Sequence, residues 1–330
     1  MIIHAKKIYR INYQEDTDCN TGSSFVMNSD PHNPPYLEFY GYELENAIIV
    51  MGMLPEELTK SSKLKRSEEI KYKIHIIQTA LKETYDNKGH YDLSMDENAL
   101  AFLDSSEKGY ISYLLGMVFA TLVAQKTYNY KYIVHYSKFE KSKYCRYPIP
   151  KTPYLNPKTG KHVLLSSPDL VGMNIKGRKY GVFEAKGYQY FYQGVMRKAV
   201  NQVQQIKSIN GKPVDRIVAY SRLLSSGNTI RTKDPTEGFY NIELDDLAAL
   251  IWQYLPVVEL LNELQSNKNY KTSDNFQVFD ASFIEGSKHI KIHSDTFNLI
   301  NDFLEVNSWD EKYNKRLSNV NAGAFKLYIE

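Results

Sequence analysis

Residues 166–187 read SSPDLVGMNIKGRKYGVFEAKG, and the rest of the chain is best understood outward from them. Apolar Leu170, Val171 and Met173 come before a basic, glycine-containing break at 176–179, and Tyr180, Val182 and Phe183 come after it. That pattern predicts two short strands joined by a tight turn near Gly177. Side chains alternate along a strand, so Val182, Glu184 and Lys186 share one face while Phe183 and Ala185 share the other. A hairpin closing near Gly177 brings Asp169 towards Glu184. Two carboxylates and an ammonium then converge, on a strand whose apolar neighbours on both faces place it centrally, where unpaired charge is costly.

The chemistry of such a cluster follows from charge. Adjacent carboxylates repel, and one of them takes up a proton unless a cation lies between them. A hard divalent ion such as Mg²⁺, with Mn²⁺ as a substitute, resolves the conflict because it takes oxygen ligands and keeps several waters. A lysine beside that ion can position a water and stabilise negative charge developing on an attacked phosphate. Each fragment also has an ordinary reading. Glu-x-Lys on an exposed strand is an ion pair worth about 0–1 kcal/mol, and Pro-Asp often starts a turn. Their coincidence on one buried hairpin favours the chemical reading.

Pro168-Asp169 followed by Glu184-Ala185-Lys186 resembles the signature of the PD-(D/E)xK nuclease superfamily, the restriction-endonuclease-like group. The resemblance runs from the helix before the hairpin to the strands after it. It implies an α/β fold, with a mixed central sheet flanked by helices and accessory regions at both ends. It implies a Mg²⁺-dependent endonuclease that hydrolyses phosphodiester bonds, with DNA as the expected substrate. Asp169, Glu184 and the main-chain carbonyl of Ala185 would hold the metal, and Lys186 would activate the water. Many members carry a further acid on the helix before the core sheet, which would be Glu107. Asp104 followed by Glu107 also reads as a capping box, giving that glutamate a structural role instead. Some members carry a glutamine on the helix after the hairpin, for which Gln202 and Gln205 are candidates. A different class of function, a nucleic-acid-binding or assembly subunit using the fold as scaffold, is the alternative. By analogy alone, the flanking regions suggest bacterial or phage defence or restriction.

A chain of 330 residues holds two domains, or one core with large additions. Its formal net charge of +3 confines any nucleic-acid surface to a local patch. Two cysteines, Cys19 and Cys145, make no CxxC, which argues against a disulfide framework or zinc site and suits a reducing cytoplasm. The N-terminus lacks the basic-then-apolar order of a signal peptide. The most apolar stretch, 110–124, is interrupted by Ser112, Tyr113 and Thr121 and falls short of the ~18–20 residues a membrane span requires. It reads as a buried helix, and no membrane partner is expected.

In chain order, residues 1–103 form an accessory region, with an early strand at 5–13 and an amphipathic helix in 58–88 carrying Ile70, Ile74, Ile77 and Leu81 at helical spacing. Residues 104–237 form the nuclease core: a helix over 104–125, a first strand over 130–136, a basic linker over 138–161, the hairpin, a helix over 194–210, and strands over 214–224 and 229–232. Residues 238–330 form an accessory or dimerisation region around a long helix over 243–264. Its apolar residues Leu247, Leu250, Ile251, Leu255, Val258 and Leu260 look excessive for a helix covered on one side, which predicts a homodimer. Need for a partner protein is left open, and His289 and His293 share a strand face without a third ligand.

Overall fold

The structure is a computed structural model describing residues 3–16, 36–52, 66–136, 145–146, 153–155, 160, 162–164, 166–175, 177–265, 270–273, 275–281, 289–305 and 327–329. Its architecture is mixed α/β, with a large sheet of parallel and antiparallel strands flanked by helices. By their own contacts the residues fall into two compact units: Arg10–Glu38 with Leu93–Asp245, and Met1–Tyr9 with Phe39–Asp92 and Asp246–Glu330. The first, the site unit, contains the hairpin. The second gathers most of the regions that the sequence reading set apart at the two ends of the chain, but residues 10–38, 93–103 and 238–245, read as accessory, belong to the site unit.

The strands of the site unit are β1 (Ile8–Asp16, in this unit from Arg10 on), β2 (Tyr132–His135), β3 (Leu170–Asn174), β4 (Lys179–Tyr188), β5 (Ile206–Ile209), β6 (Lys212–Arg222), β7 (Thr229–Lys233) and β8 (Tyr240–Leu244). The sheet runs β1-β7-β6-β4-β3-β2. Within it β4 and β6 are parallel, as are β1 and β7, and the other neighbours are antiparallel. Strand β4 is therefore central, and from Tyr180 to Ala185 both of its faces are buried. That explains why the stretch is apolar on both faces and does not simply alternate.

Helix α1 (Ser105–Lys126) begins with the capping box foreseen in the sequence. The Asp104 carboxylate accepts from the N–H groups of Ser106 and Glu107 at 2.7 and 2.8 Å, and Glu107 Oε2 accepts from Asp104 N–H at 2.9 Å. The helix is buried from Leu114 to Ala124 and packs on β4 and β6. Its contact with β4 is a backbone contact. A Cβ on Gly187 would fall inside the carbonyl of Ser112, and one on Gly116 would lie 2.9 Å from the nitrogen of Gly187. Two glycines thus let helix and strand touch main chain to main chain, one residue beyond Lys186.

Helix α2 (Gln193–Val203) is shorter than the predicted helix over 194–210. Ile206–Ile209 forms β5 instead, turning through Asn210 and Gly211 into β6, with Ile209 paired to Lys212. Asn210 and Gly211 both have positive φ, 51° and 71°, the conformation that a two-residue hairpin turn demands and that Asn-Gly supplies. Ile206 and Ile209 continue the helical stripe by spacing alone, and the turn overrides it.

In the second unit the helix Arg66–Ala80 gives way at Leu81 to the strand Leu81–Tyr85, shortening the helix read over 58–88. The start of that reading, residues 58–65 with Lys60, Lys63 and Lys65, lies outside the described residues, as does most of the basic linker at 138–161. The helix Asp246–Gln265 has Pro256 inside it and packs against the helices Gly41–Gly52, Arg66–Ala80 and Ser294–Glu305. Leu250, Ile251, Leu255, Val258 and Leu260 are all buried, and Leu247 is half-buried. Most of the apolar surface that suggested a dimer is covered inside the protomer, so these residues do not argue for a homodimer. Four antiparallel strands, Tyr270–Ser273, Phe276–Asp280, His289–His293 and Leu327–Ile329, form this unit's own sheet.

Candidate active site

The hairpin closes where the sequence places it. Asn174 pairs with Lys179 and Leu170 with Phe183, and the turn is made with Arg178 at φ 45° and its N–H donating to the Ile175 carbonyl at 3.1 Å. Strand β4 then outruns its partner. From Glu184 to Tyr188 it keeps β6 on one side, Glu184 opposite Val218 and Lys186 opposite Tyr220, but β3 has already ended on the other. Asp169 occupies the gap.

There the two acids clasp each other's backbone. Asp169 Oδ2 accepts from Ala185 N–H at 2.9 Å, and Glu184 Oε2 accepts from Asp169 N–H at 3.2 Å. The carboxylates thus replace the ladder that β3 no longer provides, which anchors both side chains on main-chain N–H groups. Lys186 Nζ donates to the other oxygen of Glu184, Oε1. Asp169, Glu184, Ala185 and Lys186 are brought together as the sequence predicts.

The site is electrostatically unbalanced. Glu184 is 1% exposed. Burial, and next the Asp169 charge, push its carboxyl up to about 8, against the opposing pull of Lys186. Burial also raises Asp169, with Lys186 as the largest influence in the other direction. Burial pushes the Lys186 ammonium down, but the two carboxylates outweigh it and hold the group above its ordinary value. Two acids therefore share one base in a place that water does not reach freely.

Without a cation the pair relieves its repulsion by keeping a proton on Glu184, and a divalent cation can take that proton's place. Among the described residues no three His, Cys, Asp or Glu side chains are grouped to hold a metal. Two carboxylates do suffice for Mg²⁺, which is commonly held by one or two of them with water completing its shell. Ala185 supplies a further oxygen on the proper side. A residue's N–H and C=O leave an extended strand in the same direction, and the Ala185 N–H points to Asp169.

The remaining predicted residues have different places. Glu107 is exposed and engaged in the capping box, six residues before the part of α1 that meets the site. Gln202 and Gln205 are buried on or just after α2 and hold Ser166, three residues before Asp169: Gln202 Nε2 donates to Ser166 Oγ at 2.6 Å and Gln205 Nε2 to its carbonyl at 2.9 Å. They position the segment that carries Asp169.

The sequence reading took Tyr113 only as an interruption of the apolar stretch and gave it no place at the site. It lies on α1 three residues before Gly116, so on the same side of the helix, and it feels the charges of Asp169, Glu184 and Lys186. Burial and the Asp169 carboxylate raise its phenol. The sequence signal was a polar interruption in an otherwise apolar helix. His289 and His293 lie in the second unit, where the His293 ring packs edge-on against Phe276.

No described helix is long and apolar enough to cross a membrane. Compared with family models, curated proteins and solved structures, the chain matches none.

Proposed function

We propose that the chain is a Mg²⁺-dependent endonuclease that hydrolyses phosphodiester bonds, with DNA as substrate and a core of the restriction-endonuclease-like kind. The observation that carries this reading is the clasped pair of a buried Glu184 and a half-buried Asp169, with one ammonium for two carboxyl groups, Lys186 following two residues along on the same strand. It is the layout implied by the resemblance to PD-(D/E)xK nucleases.

Asp169, Glu184 and the Ala185 carbonyl would hold the cation, which supplies a Lewis acid for a phosphoryl oxygen and a more acidic water. Lys186 keeps its proton while both carboxylates face it and so donates, orienting a water and countering charge that builds up on the phosphate. Once that attraction is taken up elsewhere, burial is less opposed, and the same lysine moves towards the range in which it can accept a proton. Gln202 and Gln205, through Ser166, keep Asp169 in register.

Incubation of the purified chain with plasmid and linear DNA tests the reading. Cleavage is expected with Mg²⁺ or Mn²⁺ and little turnover with Ca²⁺, which tolerates more ligands at longer distances. Robust cleavage in excess chelator would overturn it.

A further inference from the structure

The face of β4 that carries Glu184 and Lys186 does not end at the lysine. Alternation puts Tyr188 next in the same row, two residues beyond Lys186 on β4. Beyond it the chain runs Gln189, Tyr190, Phe191, Tyr192 into α2. Tyr188, Tyr190 and Tyr192 are 37%, 58% and 47% exposed. With Tyr110 and Tyr113 of α1, they make up half of the large hydrophobic side chains most exposed among the described residues. Solvent-exposed aromatic area gathered beside a candidate catalytic centre calls for a ligand.

The rings are braced. Tyr188 and Tyr192 meet edge to face with centroids 5.7 Å apart, and Tyr190 and Tyr192 do so at 6.4 Å. Behind them, the buried Tyr220 stacks on Tyr188 at 5.8 Å. Its hydroxyl donates to the Tyr190 carbonyl at 2.7 Å and accepts from the Tyr192 N–H at 3.2 Å. A core tyrosine is thus committed to holding the backbone of two surface ones, so little ordering is left to the moment of binding.

Charge narrows the occupant. From residue 185 to residue 214 the sequence has no Asp or Glu, while Lys186, Arg197, Lys198, Lys207 and Lys212 all fall within it. Arg197 and Lys198 are exposed on α2, the helix that Tyr192 caps. Rigid, exposed rings beside the exposed cations Arg197 and Lys198 suit a chain of aromatic bases joined by phosphates whose bases are not already stacked in a duplex.

We propose that Tyr188, Tyr190 and Tyr192 form a stacking platform for unpaired nucleobases, so that the strand presented to Asp169, Glu184 and Lys186 is single-stranded at the platform. The proposal rests on the nuclease reading for its substrate class. It adds strandedness, which the carboxylates and lysine do not determine.

Binding in chelator tests it apart from cleavage. The anisotropy of a short labelled single-stranded oligodeoxynucleotide is followed as wild-type chain is added, and compared with a blunt duplex of the same sequence. The single strand is expected to bind at least about tenfold more tightly. Tyr190→Ala with Tyr192→Ala removes that preference, each ring contributing about tenfold, while Tyr190→Phe with Tyr192→Phe retains it because the ring and not the hydroxyl does the stacking. Equal binding of single strand and duplex, no binding of either, or a preference that survives the double alanine change would overturn the platform. Cleavage of duplex in Mg²⁺ by a chain without that preference would leave the nuclease reading standing and this proposal refuted. The preference without cleavage of any DNA would do the reverse.

Discussion

Two acid–lysine pairs in this chain look alike on paper and differ in what surrounds them. In the second unit, Lys7 Nζ meets Glu83 Oε1 at 2.7 Å, both side chains about a quarter exposed, with the ammonium 4.1 Å from the centre of the Tyr91 ring. In the site unit, Lys186 meets Glu184, but Glu184 is almost fully buried and a second carboxylate, Asp169, is clasped against it. The first pair is one charge against one, each side chain about a quarter exposed. The second sets two carboxyl groups against one ammonium, with Glu184 buried and Asp169 and Lys186 half-buried. An ion pair satisfies its surroundings, whereas a surplus of buried charge asks for something from outside, and the difference marks the candidate site.

Removing Lys186 should bring out the contrast most strongly. Lys186→Ala is expected to lower cleavage by at least on the order of 10²-fold, the usual loss when a group that handles the reacting proton is deleted. Fold and metal binding should persist, since no metal ligand is removed. Steady-state cleavage rates alongside a thermal melt check this, and a variant of near-wild-type rate would show that the lysine is only an ion-pair partner.

A next, smaller effect concerns how the site is held. Gly187→Ala places a methyl into the Ser112 carbonyl, backbone against backbone, where neither side can swing away. A loss of about 1–3 kcal/mol or more is expected from the overpacking, read as a lower denaturation midpoint, with cleavage falling even below that midpoint because α1 is pushed away next to Lys186. An unchanged midpoint would mean that helix and strand are not in main-chain contact.

Acidity offers a third test. Glu184 titrates higher in the folded chain, at about 8, than its ordinary 4.5, so the folded state binds more protons between those values. Stability from this group is therefore fully present below about pH 4.5 and is lost as pH rises through about 8, the reverse of the usual salt-bridged carboxylate. Metal-free protein should lose stability across that window, and Mg²⁺ should restore it at the alkaline end. Denaturant titrations at several pH values, with and without Mg²⁺, decide the point; a metal-free chain that gains stability over the window would contradict the assigned sign.

Least affected should be the pair in the second unit. Lys7→Ala is expected to cost no more than about 1 kcal/mol and to leave cleavage unchanged. A cleavage defect there would erase the distinction between the two pairs.

The hairpin was legible because three signals agree: apolar flanks, a glycine-containing turn, and alternation that places Glu184 and Lys186 on one face. The capping box at Asp104 and Glu107 was legible for the same local reason, and there Glu107 is engaged as a cap. Periodicity misled where two structures share it. Ile206 and Ile209 sit three apart, as on a helix, yet they are ends of a strand, and Asn210-Gly211 was the stronger signal. Leu81 follows Ile77 at helical spacing but opens a strand. The apolar residues at 247–260 predicted an exposed patch because the helices that cover them are distant in sequence. Tyr113, the bonds of Gln202 and Gln205 to Ser166, and the contact of Gly116 with Gly187 arise only when separate elements pack, so no local pattern announces them.

The central claim is that Asp169 and Glu184 together hold a divalent cation, and calorimetric titration of Mn²⁺ or Mg²⁺ into wild-type chain and Glu184→Ala tests it most directly. The wild type should bind one ion with an affinity that rises as pH approaches about 8, because the Glu184 proton must leave, and Glu184→Ala should show no such site. Equal affinity in the two proteins would contradict the account.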